Sequence, residues 1–224
     1  MNKLDKYFEN WKPKTKVVVV GSSPSLCWYK FGKYIDMFDV VVRINECFSK
    51  STYEYTGKKI DVWATTSNDR WDDFNPINES TKEVWPRLPR TELQLKNNGT
   101  LSDFTGEVVN MRTHTKKCVF GSNTFKNFRE GLGTGLITLN YAIHKYEETI
   151  TVIGHTFYLE SEKEVAINFV NPEEDEEHQI NREKFFHKNE FGLKSLQFII
   201  DWVKDEKIVL LNPYEYDNLR VKIK

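Results

Sequence analysis

The sequence predicts an α/β protein with a Rossmann-like, mainly parallel sheet flanked by helices. Three observations carry this. Val17-Val18-Val19-Val20 is a short apolar run without polar alternation, as expected of a strand buried on both faces. Gly21-Ser22-Ser23-Pro24 follows directly, placing free backbone N–H groups and two hydroxyls at the carboxyl end of that strand, where open α/β sheets bind nucleotides. Later, Gly131-Leu132-Gly133-Thr134-Gly135 opens an apolar helix that runs into another strand.

In chain order, the first strand is Lys16–Gly21, and a short helix is expected around Leu26–Tyr34. Val40–Ile44 and Ile60–Thr65 are the next strands. Asn68–Thr105 is polar, contains Pro76, Pro86 and Pro89, and reads as loops around a short helix. Glu107–Met111 and Lys117–Phe120 are short strand candidates. Helix Leu136–Lys145 leads into strand Thr149–Gly154. Leu159–Lys184 turns strongly acidic (Glu173-Glu174-Asp175-Glu176-Glu177) without a core pattern, and residues 159–184 read as a mobile lid loop. Apolar residues at helical spacing (Leu193, Leu196, Ile199, Trp202, Val203) predict a helix over Phe191–Asp205, followed by strand Ile208–Leu211.

The chain of 224 residues suits a single domain spanning 1–224, with the lid as part of it. Lys plus Arg (32) balance Asp plus Glu (33), so bulk charge gives no argument for nucleic acid as a partner. Cys27, Cys47 and Cys118 are an odd number without metal-like spacing, which fits a reducing compartment. The stretch Met1–Lys16 is polar and charged, and no run is long enough to span a bilayer. A cytoplasmic protein is expected, at most peripheral to a membrane. Asn78-Glu79-Ser80 and Asn98-Gly99-Thr100 match the glycosylation pattern, and without a secretion signal they read as chance matches in loops.

Three separated blocks of the chain resemble the sialyltransferases, of both the animal type and the bacterial lipooligosaccharide type. The first block is Gly21-Ser22-Ser23-Pro24-Ser25-Leu26, Gly32…Ile35-Asp36, Asp39-Val40-Val41-Val42-Arg43-Ile44-Asn45 and Gly57-Lys58-Lys59-Ile60-Asp61. It is similar to the animal long motif, and its turn resembles the bacterial Gly-Asn-Gly-Pro-Ser-Leu. The second, Gly133-Thr134-Gly135…Val152-Ile153-Gly154, is similar to the short motif, with Thr156-Phe157-Tyr158 where the bacterial type has Asp-Phe-Tyr. The third is His187 ahead of a helix, where the family has its late histidine. Two departures stand out. Ser22 replaces the turn asparagine, and Thr65-Thr66-Ser67 stands where many members have Asn-Pro-Ser.

The resemblance implies a GT-A-like variant fold. It implies an inverting, metal-independent transfer of sialic acid, or a related ulosonic acid, from a CMP-sugar donor to a glycan hydroxyl. No cofactor beyond the donor is implied, and no metal. His187 and Tyr158 would be catalytic. Gly21, Ser22, Ser23, Asn45, Thr65, Gly133, Thr134, Gly135, His155 and Thr156 would bind the donor. The residues fit that chemistry. A single leaving phosphate needs less neutralisation than a diphosphate, and no Asp-x-Asp stands at a strand end. Attack by a hydroxyl needs a base of near-neutral pKa. Of the five histidines, His144 lies in an apolar helix, His114 lacks context and His178 sits among carboxylates that would raise its pKa. Tyr158 could equally be a packed strand-end aromatic. Arg43 could grip a phosphate, but pairing with Asp36 or Asp39 is favoured.

Two further readings stand beside the transferase. One is a CMP-binding module of the same fold without catalysis, motivated by Ser22, by Thr65 and by the lack of the second phosphate-binding tyrosine that the bacterial type has shortly after the first. The other, a dinucleotide-binding oxidoreductase, fits poorly, because the first turn lacks Gly-x-Gly-x-x-Gly and Arg43 and Asn45 stand where an acidic residue is expected.

Overall fold

Four consecutive valines offer no polar face, so a strand made of them needs cover on both sides, and β1 (Val17–Val20) has it. Val17 and Val19 enter one apolar cluster, Val18 and Val20 another. All four are at most 1% exposed. The computed structural model describes residues 3–23, 25–26, 29–45, 52–66, 76–111, 133–155 and 190–212, with side chains from Lys6 in the first helix and from Gln197 in the last.

Among these residues seven strands form one all-parallel sheet. To β1 are added β2 (Val40–Ile44), β3 (Val62–Thr65), β4 (Glu83–Pro86), β5 (Glu107–Val108), β6 (Ile150–Ile153) and β7 (Ile208–Leu210). The order is β5-β4-β3-β2-β1-β6-β7, so the chain builds outward from β1 on one side and then crosses to β6 on the other. Val20 sits between Arg43 of β2 and Ile153 of β6. The topological switch point therefore falls between β1 and β6, where doubly wound sheets leave a crevice at their carboxyl edge.

The helices that lie within the described residues are α1 (Lys3–Phe8), α2 (Gly32–Ile35), α3 (Tyr53–Thr56), α4 (Pro89–Asn97), α5 (Thr134–Tyr146) and α6 (Glu190–Lys204). Leu136, Leu139 and Ile143 of α5 and Ile199, Ile200 and Trp202 of α6 cover the face carrying Val19, Val42 and Val152. On the other face Phe8, Phe31, Tyr34, Ile35 and Phe38 cover β1 and β2, while Leu95 joins Trp63 and Val84. Much of the aromatic content is used here. Phe8 stacks on Tyr34 at 4.3 Å between ring centroids, and Trp11 lies 5.7 Å from Phe38. Burial of one such ring stabilises the fold by about 2–3 kcal/mol.

Several boundaries differ from the sequence expectation. Among the described residues the helix sought over Leu26–Tyr34 is found as α2, at Gly32–Ile35, and Ser25 and Leu26 lie in a helical turn before it. Asn68–Thr105 contains the expected helix, α4, but also β4. That strand is four residues long and ends in Pro86. Its position is fixed from across the core: Lys145 of α5 pairs with Glu83 at 2.6 Å, and Tyr141 meets Trp85 edge-on at 4.7 Å. The polar amino-terminal stretch forms α1 because Phe8 anchors it at 2% exposure. α5 ends where Glu147 turns left-handed (φ 52°) and its N–H bonds to the Ile143 carbonyl. Both glycosylation-like triplets are Asx turns. Asn78 Oδ1 accepts from Ser80 N–H (2.9 Å) and Asn98 Oδ1 from Thr100 N–H (3.1 Å), a local reason for that spacing. The strand candidate Lys117–Phe120 and the lid 159–184 lie outside the described residues.

Candidate functional site

The turn after β1 is stitched to the end of β6. Gly21 N–H bonds to the Ile153 carbonyl (2.8 Å) and Ser23 N–H to the Gly154 carbonyl (2.9 Å). The two strand ends approach so closely that a Cβ on Gly21 would overlap the Gly154 carbonyl, and one on Gly154 would stand 2.9 Å from the Gly21 carbonyl. Gly154 also has φ +72°, which side-chain-bearing residues rarely adopt. Ser23 is buried, and its hydroxyl takes the N–H (3.3 Å) and hydroxyl (3.2 Å) of Ser25. It closes the turn. Ser22 is half-buried at the crest and makes no hydrogen bond with the described residues.

His155 follows Gly154 and fills the space between the β1 turn and the start of α5. Its Cδ2 and Nε2 would lie 2.8 Å from a Cβ on Gly21, and its Cε1 3.3 Å from one on Gly135. Both glycines therefore admit the ring. Burial of the imidazole lowers its pKa from 6.5 to about 4, so it is neutral near pH 7 and brings no positive charge to a phosphate. At the head of α5, Gly133 is the N-cap in extended conformation. Ile137 N–H is bonded to the Gly133 carbonyl (3.3 Å), so the N–H groups before it are not used within the helix. Thr134 is buried at 6% exposure, and its carbonyl accepts the Thr138 hydroxyl (2.8 Å). Thirteen residues of helix point their positive end at the switch-point edge.

Asn45 ends β2 in the left-handed region, φ 53°. Its amide oxygen accepts Thr66 N–H (3.1 Å), its carbonyl accepts Trp63 Nε1–H (3.0 Å), and its own N–H goes to Ala64 (2.8 Å). One half of the side chain thus shapes the exit of β3, and the Nδ2 amide makes no hydrogen bond with the described residues. Thr65, one strand further on, is 1% exposed, and its buried hydroxyl has no hydrogen-bond partner among the described residues. It stands two strands from β1, a span of about 10 Å.

Arg43 is fully buried and structural, as favoured from the sequence. Its Nε donates to the Lys59 carbonyl (2.7 Å) and its guanidinium faces Asp36 (3.9 Å). Asp36, not Asp39, is the partner. The same carboxylate accepts Lys58 N–H (3.0 Å) and Lys59 N–H (2.9 Å). Gly32 and Gly57 let α2 and α3 meet backbone to backbone beside it. The Gly32…Asp36, Arg43 and Gly57-Lys58-Lys59 pieces are therefore one clamp between β2, α2 and α3. Asp61, not singled out as functional, plays a related part: buried, it takes Val41 N–H (2.9 Å) and lies 3.2 Å from Lys82 Nζ and 3.4 Å from Lys59 Nζ.

Of the expected site residues, Gly21, Gly135 and His155 are brought into contact. Ser22, Ser23, Asn45, Thr65, Gly133 and Thr134 share the carboxyl edge. Thr156, Tyr158 and His187 lie outside the described residues.

No family model matches the chain, and no curated protein is similar to it in sequence. Solved structures are similar in fold. A mammalian sialyltransferase aligns with TM-score 0.54 at 14% identity, over 88% of this chain and 68% of its own. The mammalian sialyltransferase in complex with Gal-beta-1-3GalNAc-ortho-nitrophenol aligns with TM-score 0.52 at 13% identity, over the same shares. The fold is that of the sialyltransferases. A point mutant of the alpha-2,3/8-sialyltransferase CstII aligns with TM-score 0.50 at 16% identity, over 89% of this chain and 82% of its own. The described parts of the first two sequence blocks thus lie in a sialyltransferase-like fold, with Gly21, Gly133, Gly135, Gly154 and Asn45 at the carboxyl edge of its sheet.

Proposed function

We propose that the protein is an inverting glycosyltransferase that moves a sialic acid, or a related ulosonic acid, from a CMP-sugar to a glycan hydroxyl. The observation that carries this reading is the meeting of Gly21, His155 and Gly135 at the switch point, with the head of α5 and Asn45 on the same edge. Backbone N–H groups of the Ser22 turn and of α5, with the Asn45 Nδ2 amide, would receive the leaving phosphate. His155, neutral, would set the gap between those two backbones.

In the reaction the acceptor oxygen attacks the anomeric carbon, the bond from that carbon to the phosphate oxygen breaks, and the electron pair leaves with CMP. The acceptor's proton passes to a base, the role assigned to His187, and Tyr158 would donate to the phosphate as charge builds there. The transition state is oxocarbenium-like, and the reading assigns no step to a metal. A cytoplasmic setting, expected from the cysteines, belongs to the same reading. The test is release of CMP from CMP-N-acetylneuraminate with and without lactose and other glycan acceptors. His187→Ala should abolish release and leave CMP affinity unchanged; undiminished turnover would remove His187 from the mechanism.

Thr65, closed off from solvent, and Ser22, in place of the family's asparagine, favour a second reading, a CMP-binding module without catalysis. CMP binding with no release from any CMP-sugar would decide for it.

A further inference from the structure

Among the described residues a cleft of about 560 Å³ opens between α2 and α3. It belongs to the helices on the face of the sheet opposite α5, so the sheet lies between it and the head of that helix. Its size is that of a small-molecule pocket. Tyr29 and Tyr53 line it, each half-buried and each held by the core. Tyr29 stacks on Phe8 (5.4 Å, 14° between planes), and Tyr53 packs on the Ile60, Trp63, Val84 and Leu95 cluster. Rings already fixed in this way add apolar contact to a ligand at little cost in side-chain entropy.

The charges of the cleft are unequal. Glu54 is answered by Lys30 at 2.7 Å, and Asp36 by the N–H groups of Lys58 and Lys59 and by Arg43. Lys33 and Lys58 are exposed, and no carboxylate among the described residues pairs with either; the Lys33 ammonium rests over the Tyr34 ring at 4.7 Å. Two ammonium groups beside fixed aromatic walls select an anion carried on a partly apolar, hydroxylated body.

We propose that the α2–α3 cleft is a second ligand site, taking a sugar that bears a carboxylate or a phosphate. That the anion is carried on a sugar rests on the glycosyltransferase reading above. The cleft would hold an acidic residue of the glycan acceptor away from the point of transfer.

The test is a titration of the full chain followed by amide NMR shifts. The probes are D-glucuronate, glucose 6-phosphate, glucose as the neutral sugar, inorganic phosphate as the bare anion, and a Glu-Glu-Asp peptide. Glucuronate or glucose 6-phosphate should give saturable shifts at Lys33, Tyr53 and Lys58. The remaining probes should bind at least tenfold more weakly. Lys33→Glu/Lys58→Glu should weaken the acidic sugars at least fivefold, with CMP binding as in the wild type. Lys58→Gln gives the same readout with a smaller change of surface charge. Absent shifts, equal binding of phosphate or peptide, or equal affinity in the variants would overturn the proposal. CMP titrated in the same samples keeps the two claims apart, because loss of CMP binding bears on the strand-end reading alone.

Discussion

The ring of His155 occupies the space that a side chain at Gly21 would need: a Cβ there would stand 2.8 Å from its Cδ2 and Nε2 and would overlap the Gly154 carbonyl. The ring could shift, but the carbonyl of a paired strand end cannot. Gly21→Ala is therefore expected to lower the melting temperature by several degrees and CMP affinity at least tenfold, read by thermal melting and titration calorimetry. Gly135→Ala meets only the ring, at 3.3 Å, and should be milder in both. If the two variants behave alike, the close approach of β1 and β6 is not the controlling contact.

His155 also makes stability depend on pH. Its folded pKa, lowered by burial to about 4, lies below the unfolded value of 6.5. Between the two values the unfolded chain binds the extra proton, so stability rises with pH from about 4 to 6.5 and this contribution is flat above. A shift of this size corresponds to roughly 3–4 kcal/mol as an upper bound. Urea denaturation of the wild type and of His155→Phe across that window checks it: the stability of the wild type should rise relative to that of the variant as pH rises from about 4 to 6.5. A constant difference would mean that the imidazole titrates normally in the fold.

The Asp36–Arg43 clamp should dominate stability on the α2–α3 side. Asp36→Ala takes the Asp36 carboxylate away from the buried guanidinium and frees the N–H groups of Lys58 and Lys59, at a cost of about 3–5 kcal/mol. Arg43→Lys should also destabilise, because an ammonium cannot present the same planar set of donors to Lys59 and Asp36. Chemical denaturation reads both.

Asn45 separates backbone strain from side-chain bonding. Asn45→Gly keeps the φ of 53° accessible but loses the bond to Thr66, whereas Asn45→Ala loses the bond and strains the backbone as well. Alanine should be the less stable variant by about 1 kcal/mol. Equal stabilities would mean that the turn relaxes away from the left-handed conformation.

The valine run, strands β2 and β3, and helix α5 were legible because their apolar patterns are long or pure enough to stand alone, whereas the sheet order was not read from the sequence. β4 was not: Glu83-Val84-Trp85-Pro86 becomes a strand through Lys145 and Tyr141 in a helix far along the chain. The fixed charges were legible in part. Arg43 beside Asp36 read as structural, but nothing in the spacing showed Asp36 holding Lys58 and Lys59, or Asp61 holding β2. The site glycines were legible as a nucleotide signal, whereas their shared contact with His155 needed the crossover from β1 to β6.

The most direct test of the central claim, that this sheet edge holds the CMP moiety, is calorimetric titration of CMP into the wild type and into Asn45→Asp. The substitution keeps the acceptor for Thr66 but removes the Nδ2 donor and adds a negative charge beside the expected phosphate. One-site binding in the wild type, weakened at least tenfold in Asn45→Asp, is the expected result. No CMP binding to the wild type, or equal affinity in the two proteins, would contradict it.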